Sequence, residues 1–136
     1  MVHLQFTVPG APKGKGRPRF GRGRTYTPKT TVDYERLVRI CAADQLGDIE
    51  PLSGSVYLSL TATFPIPASW PKAKKQLAEG GSLWHIAKPD GDNILKIVCD
   101  ALNEVLWLDD SQVCLAKVSK KYGREPGVVV VVEEIK

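Results

Sequence analysis

Polar and apolar residues alternate along His3-Leu4-Gln5-Phe6-Thr7-Val8, the period of a half-buried strand, and Pro9-Gly10 stops it. A Gly/Pro/Arg stretch follows to Pro28 and reads as a long loop, about residues 10–29, that orders on binding. Thr30 or Thr31 can cap the next helix, with Asp33 and Glu35 in its first turn, where negative charge suits the dipole. Tyr34, Leu37, Val38, Cys41 and Ala42 share one face at helical spacing, and Gly47 ends the element. Alternation returns from Gly54 to Phe64, with Val56, Leu58, Leu60, Ala62 and Phe64 toward a core and Tyr57, Ser59, Thr61 and Thr63 away from it. Ser69 caps a short helix over about Pro71–Ala78, closed by Gly80-Gly81. A third helix runs from roughly Asn93 to Leu106, its stripe formed by Ile94, Ile97, Val98, Ala101, Leu102 and Val105. Val113–Tyr122 and Gly127–Ile135 read as strands joined by Gly123-Arg124-Glu125-Pro126. The unbroken valine run Val128–Val132 suggests a strand covered on both faces. The order is β-α-β-α-α-β-β. It predicts one α+β domain over residues 1–136, a mixed sheet of about four strands, and helices on one or both sides.

Composition agrees with a globular domain: 43% of the 136 residues are hydrophobic and 25% charged. Charge is unevenly placed. Seven positive residues (Lys13, Lys15, Arg17, Arg19, Arg22, Arg24 and Lys29) precede the first acid, Asp33, so a chain of net charge +4 carries −3 over the remainder. A basic arm on a mildly acidic body points to phosphates. Phe20 and Tyr26 lie among the cations with several glycines, a mixture that suits moulding to a nucleic-acid backbone and stacking on bases. A solvated tail is the competing account of such a run. Cys41, Cys99 and Cys114 are odd in number and far apart, so neither a disulfide framework nor structural zinc is expected. Cys41 and Cys99 fall in apolar helical patterns and read as core thiols. No apolar run approaches membrane-spanning length and no leader pattern is present, so a cytoplasmic location and no membrane partner are expected. No nucleotide cofactor is expected either.

The candidate chemistry lies around the third helix. Pro89 keeps Lys88 out of the helical region, so the chain should reach Asp90 extended. Asp90 and Asp92, two apart, then point the same way and can reach one cation, with Gly91 leaving room between them. Asp109-Asp110 follows the helix and converges on them if the next strand runs beside the segment entering Asp90. Carboxylate oxygens select Mg²⁺, with Mn²⁺ as a substitute. Such an ion polarises a scissile phosphate and helps generate hydroxide. Lys96, one turn past Asp92, is placed to steady transition-state charge. Each feature alone has a plainer account: Asp92 as an N-cap, Asp109-Asp110 as a polar turn, Lys96 as an i,i+4 partner of Asp92 or Asp100. Lys117, Lys120 and Lys121 either add phosphate contacts or form a solvated strand face. His85 reads as structural.

At these residues the chain resembles the RusA family of crossover-junction (Holliday junction) endodeoxyribonucleases of bacteria, phages and prophages. His85-x-x-Lys88-Pro89-Asp90-x-Asp92-Asn93-x-x-Lys96 is similar to its first motif. Asp100-Ala101-Leu102-Asn103 and Trp107-x-Asp109-Asp110-Ser111-Gln112-Val113 are similar to its second. The opening Pro9–Arg24 and the closing Tyr122-Gly123 with the valine strand also fit. The resemblance implies catalytic, metal-binding Asp90, Asp92 and Asp110, an essential Lys96, and supporting roles for Asn93, Asp100 and Asp109. It implies a homodimer that takes four-way junction DNA and nicks two opposing strands in recombination and repair. Lys13, Lys15, Arg17, Arg19, Arg22, Arg24, Lys88 and Lys120 are then the expected DNA contacts. One departure is Glu104, where the family often has glycine; it is expected to lengthen the helix slightly. The rivals are a DNA-binding module without catalysis, and a nuclease or phosphatase acting on unbranched DNA or small substrates.

Overall fold

The computed structural model describes residues 2–135. Strand β1 (His3–Pro9) leads through the arm to a short hairpin, β2 (Arg19–Gly21) and β3 (Arg24–Tyr26), and then to helix α1 (Lys29–Leu46). Strand β4 (Ser55–Pro65), helices α2 (Lys72–Glu79) and α3 (Gly91–Leu102), a 3-10 turn (Asp110–Gln112), β5 (Val113–Gly123) and β6 (Gly127–Ile135) complete the chain. The fold is α+β with a mixed four-stranded sheet ordered β1-β6-β4-β5. β6 is antiparallel to both β1 and β4, while β5 runs parallel to β4 at the edge. Parallel neighbours need a crossover, and α2 and α3 supply it. Among the described residues no helix is long and apolar enough to cross a membrane.

The alternation in β4 is realised residue for residue. Val56, Leu58, Leu60, Ala62 and Phe64 are buried and the residues between them are half-exposed. They join Phe6, Val8, Val128, Val130 and Val132 on one sheet face, against Val38 of α1 and Ile94, Ile97 and Val98 of α3. The valine run is not covered on both faces: Val129 and Val131 stay half-exposed. β6 lies between two strands, so neighbouring side chains on its outer face shield valines that no helix covers.

Several element ends differ from the sequence expectation. The arm contains a formed hairpin rather than loop throughout. Pro28, not a threonine, precedes α1, with no side-chain cap and no acid in the first turn. Thr31 is buried and its Oγ1 accepts the Gly16 N–H at 3.0 Å, so the hydroxyl anchors the arm instead of capping the helix. Pro71, not Ser69, takes the corresponding place before α2. Helix α3 begins at Gly91 and stops at Leu102, short of Leu106. Glu104 does not lengthen it, because its φ of 66° is left-handed, where a helix cannot continue. Cys41 is buried as expected, whereas Cys99 is only partly so and Cys114 is exposed.

Candidate active site

Asp90 is the residue before the first turn of α3, extended at φ −66° and ψ 152°, and its carboxylate makes no capping hydrogen bond. A cis Lys88–Pro89 peptide precedes it. Extended backbone ends at Asp90, so Asp92 already sits in the first helical turn. The two acids are therefore related by a helix start rather than by strand alternation. Asp90, Asp92, Lys96 and Lys88 are all exposed. Negative side chains at a helix N-terminus are favoured by the unpaired N–H groups there.

The segment entering Asp90 does run beside β5. Trp84 pairs with Lys121, and the His85 N–H donates to the Lys120 carbonyl at 3.1 Å. The Lys120 ammonium donates to the Ala87 carbonyl at 2.7 Å, so this lysine ties down the Lys88–Asp92 approach from within the protein. His85 is buried, its ring stacked on Phe64 with centroids 3.5 Å apart. Burial, then the charge of Lys120, lower its pKa, which keeps it neutral and structural. Lys117 and Lys121 remain exposed.

The second acid group is built on the 3-10 turn. The Asp109 carboxylate caps it, accepting from the Ser111 N–H and hydroxyl, and these bonds lower its pKa. Gln112 completes the box: its Oε1 accepts the Asp109 N–H at 2.8 Å, and its Nε2 donates to the carbonyls of Leu52 and Gly54. Asp109 and Gln112 are thus occupied in holding Asp110. The Asp110 Oδ1 accepts the Nε1–H of fully buried Trp107 at 2.8 Å. Desolvation raises the Asp110 pKa; the Trp107 bond opposes that, and the charges of Asp100 and Asp109 add to it. Cys99 lies beside the same charges. Burial first, then Asp110 and Asp100, push its thiol up to about 12. A half-desolvated carboxylate among like charges has an electrostatic reason to take up a cation.

Hard carboxylate oxygens suit a hard divalent ion in their chemistry. Their positions are another matter. Among the described residues no three His, Cys, Asp or Glu side chains gather closely enough to hold one ion. Asp90 and Asp92 belong to the start of α3, and Asp110 to the surroundings of Asp100 and Cys99 farther along it. Lys96 lies on α3 one turn from Asp92 and one turn from Asp100. Asp100 is already paired, with Lys15 at 2.9 Å rather than with Lys96.

That pairing changes the picture of the arm. Lys15 also meets Glu35 at 2.9 Å, bridging α1 and α3. Burial alone would lower its pKa, but the two carboxylates outweigh burial and raise it. The Lys15 N–H donates to the Asn93 carbonyl at 2.9 Å. Gly14 passes so close that an added Cβ would stand 2.7 Å from Pro89 Cβ and 3.1 Å from Asn93 Cβ. Only glycine allows this approach. The result is an open cleft of about 590 Å³ in which Lys13 and Arg17 from the arm face Lys88, Asp90 and Asn93. Arg19, Arg22 and Arg24 lie beyond it on the hairpin. Thr31 was expected only as a helix cap and Glu35 only as a first-turn acid, and the parts that Gln112 and Trp107 play in holding Asp110 were not expected. Only Gln112 and Trp107 stood in a quoted motif; the other two carry no local signal.

Comparison with known proteins places this arrangement. Residues 9–133 match the family described as Endodeoxyribonuclease RusA. The chain is also similar to the "Uncharacterized protein YqaN" of Bacillus subtilis (strain 168), 37% identical over 138 aligned positions that cover 97% of this chain and 96% of the relative. The match spans the arm, α3 and both acid groups, and the chain belongs to the RusA endodeoxyribonuclease family.

Proposed function

We propose that the protein is a Mg²⁺-dependent, structure-selective endonuclease that resolves four-way DNA junctions by paired symmetric nicks, acting as a homodimer in recombination and repair. Family membership supports the nuclease chemistry. The observation that carries the reading to this chain is the cleft, where Lys13 and Arg17 of the arm stand across from Lys88 and Asp90 at a helix start. Cations flanking an acid in an open groove suit a phosphodiester backbone delivered to a hydrolytic centre.

In this reading Asp90, Asp92 and Asp110 are the residues that would hold the ion, closing on it from the separated positions they occupy here, with Mn²⁺ as a substitute. When bound, the ion supplies Lewis-acid polarisation of the phosphate and lowers the pKa of a water. Lys13, Arg17 and Lys88 bind and orient the strand, and Arg19, Arg22 and Arg24 extend the contact along it. Lys96 faces the charge that builds on the phosphoryl oxygens. A water oxygen bonds to phosphorus, the P–O3′ bond breaks, and the departing 3′-oxygen takes a proton. Asn93, Asp100 and Asp109 position the groups around them. A two-fold assembly matches a substrate with two equivalent strands to cut.

The test compares a four-way junction with a matched duplex, in Mg²⁺ and in EDTA, for wild type and Asp90→Asn. Wild type should cut the junction only with metal and leave the duplex intact. The variant should bind the junction as tightly or more tightly, since a repulsive charge is gone, and lose cleavage by at least about 100-fold. Undiminished cutting by Asp90→Asn would sink the metal assignment. Junction binding by wild type without cutting would leave a DNA-binding module, and equal cutting of duplex would end junction selectivity.

A further inference from the structure

Phe20 is 78% exposed, the second most exposed large hydrophobic side chain among the described residues. It sits on a preformed element. In the β2–β3 hairpin Arg19 pairs with Tyr26, Phe20 with Thr25 and Gly21 with Arg24. Arg22 and Gly23 turn the chain with φ of 53° and 77°, the positive pair that a tight primed hairpin turn requires. Neither strand joins the main sheet. Successive side chains of a strand point to opposite faces, so Tyr26 and Phe20 part company. Tyr26 lies over Gly21, where an added Cβ would meet its ring at 3.2 Å. The Phe20 ring, on the other face, is left to solvent.

Burying such a ring against protein calls for an apolar partner, but its surroundings select otherwise. Arg19, Arg22 and Arg24 crowd the same hairpin, and the first acid along the chain is Asp33. Arg19 and Arg24 share the opposite face with Tyr26 and Arg22 lies in the turn, so the flat apolar ring stands on a two-stranded ribbon edged by long cations, complementary to a nucleobase flanked by phosphates. In duplex DNA the base faces are covered by their neighbours; at a branch point stacking is interrupted and a face becomes available. We propose that Phe20 is a specificity-determining residue: it stacks on a nucleobase exposed at the branch point, while Arg19, Arg22 and Arg24 hold the phosphates beside it. This rests on the DNA-junction reading above and names the group that distinguishes junction from duplex. Phe20 is a recognition residue and touches none of the acids.

The experiment measures affinity for a four-way junction and for a duplex of equal phosphate count, for wild type, Phe20→Ala and Phe20→Trp, in EDTA so that no strand is cut. Phe20→Ala should lose about 5- to 160-fold in junction affinity, the range for one base–aromatic stack, with duplex affinity changed less than about twofold. Phe20→Trp should restore junction binding, and its indole emission should change with junction but not with duplex. The salt dependence should be the same in all three, since no charge is altered. Junction preference undiminished in Phe20→Ala, or equal losses on both DNAs, overturns the proposal alone. A wild type that shows no preference for the junction removes the functional reading and this proposal together.

Discussion

Asp110 shows what one residue's surroundings imply for the rest. Its carboxyl has a raised pKa, from desolvation and from Asp100 and Asp109. The folded protein therefore takes up a proton there more readily than the unfolded chain, and stability falls as pH rises through the window above the ordinary carboxylate value. The penalty stands in full at neutral pH. In EDTA, Asp110→Asn should melt at a higher temperature than wild type at pH 7, with the gap closing near pH 3, where both side chains are neutral. The amide oxygen still accepts from Trp107. A variant less stable than wild type at pH 7 would show that Asp110 is a structural anion instead of a strained one. The acid was legible in the sequence because it stands in a motif. Its hydrogen bond to Trp107 was not, since burial of that indole follows from tertiary packing.

At the scale of elements, the arm, α1 and α3 are one unit held at Lys15. Glu35 and Asp100 lie 20 and 85 positions away from it, so no periodicity or spacing announced the contact. Lys15 was expected to bind DNA, and its ammonium is instead taken up by two carboxylates. Lys15→Met should lower stability by about 1–2 kcal/mol, below the cost of breaking a fully buried pair because Asp100 keeps 33% of its side chain exposed. The raised pKa means that the contribution is complete below the ordinary lysine value and is lost as pH rises from there through the folded one. Urea midpoints at pH 7 and pH 11.5 check this, and a difference that persists undiminished at the higher pH would refute the ion-pair account. The main helices and strands were readable because their apolar faces are periodic. The hairpin was not: with six residues in its strands and no alternating core face, it depends on its turn. The end of α3 was misread because the apolar stripe continues through Val105 and Leu106 after the backbone has turned away at Glu104.

For the whole molecule the governing quantity is the separation of charge between arm and body. If the arm neutralises phosphates, log affinity for a junction should fall linearly with log salt. Replacing Arg17, Arg19, Arg22 and Arg24 together by alanine should flatten that slope by about 3–4, close to one unit per lost contact. An unchanged slope would make the arm a passive tail. The mixed sheet was deducible from pattern, but the closeness of the arm to α3 was not, because glycines report permission for contact without naming the partner.

Trp107 has a consequence of its own. Its indole is fully enclosed and bonded to the Asp110 carboxylate, whereas Trp84 is 66% exposed. A soluble quencher such as iodide will darken the outer ring far more than the inner one. Half-buried Trp70 is darkened in part, so the light that survives is enriched in emission from a chromophore wired to the acid turn, giving the protein a built-in optical gauge of what arrives there.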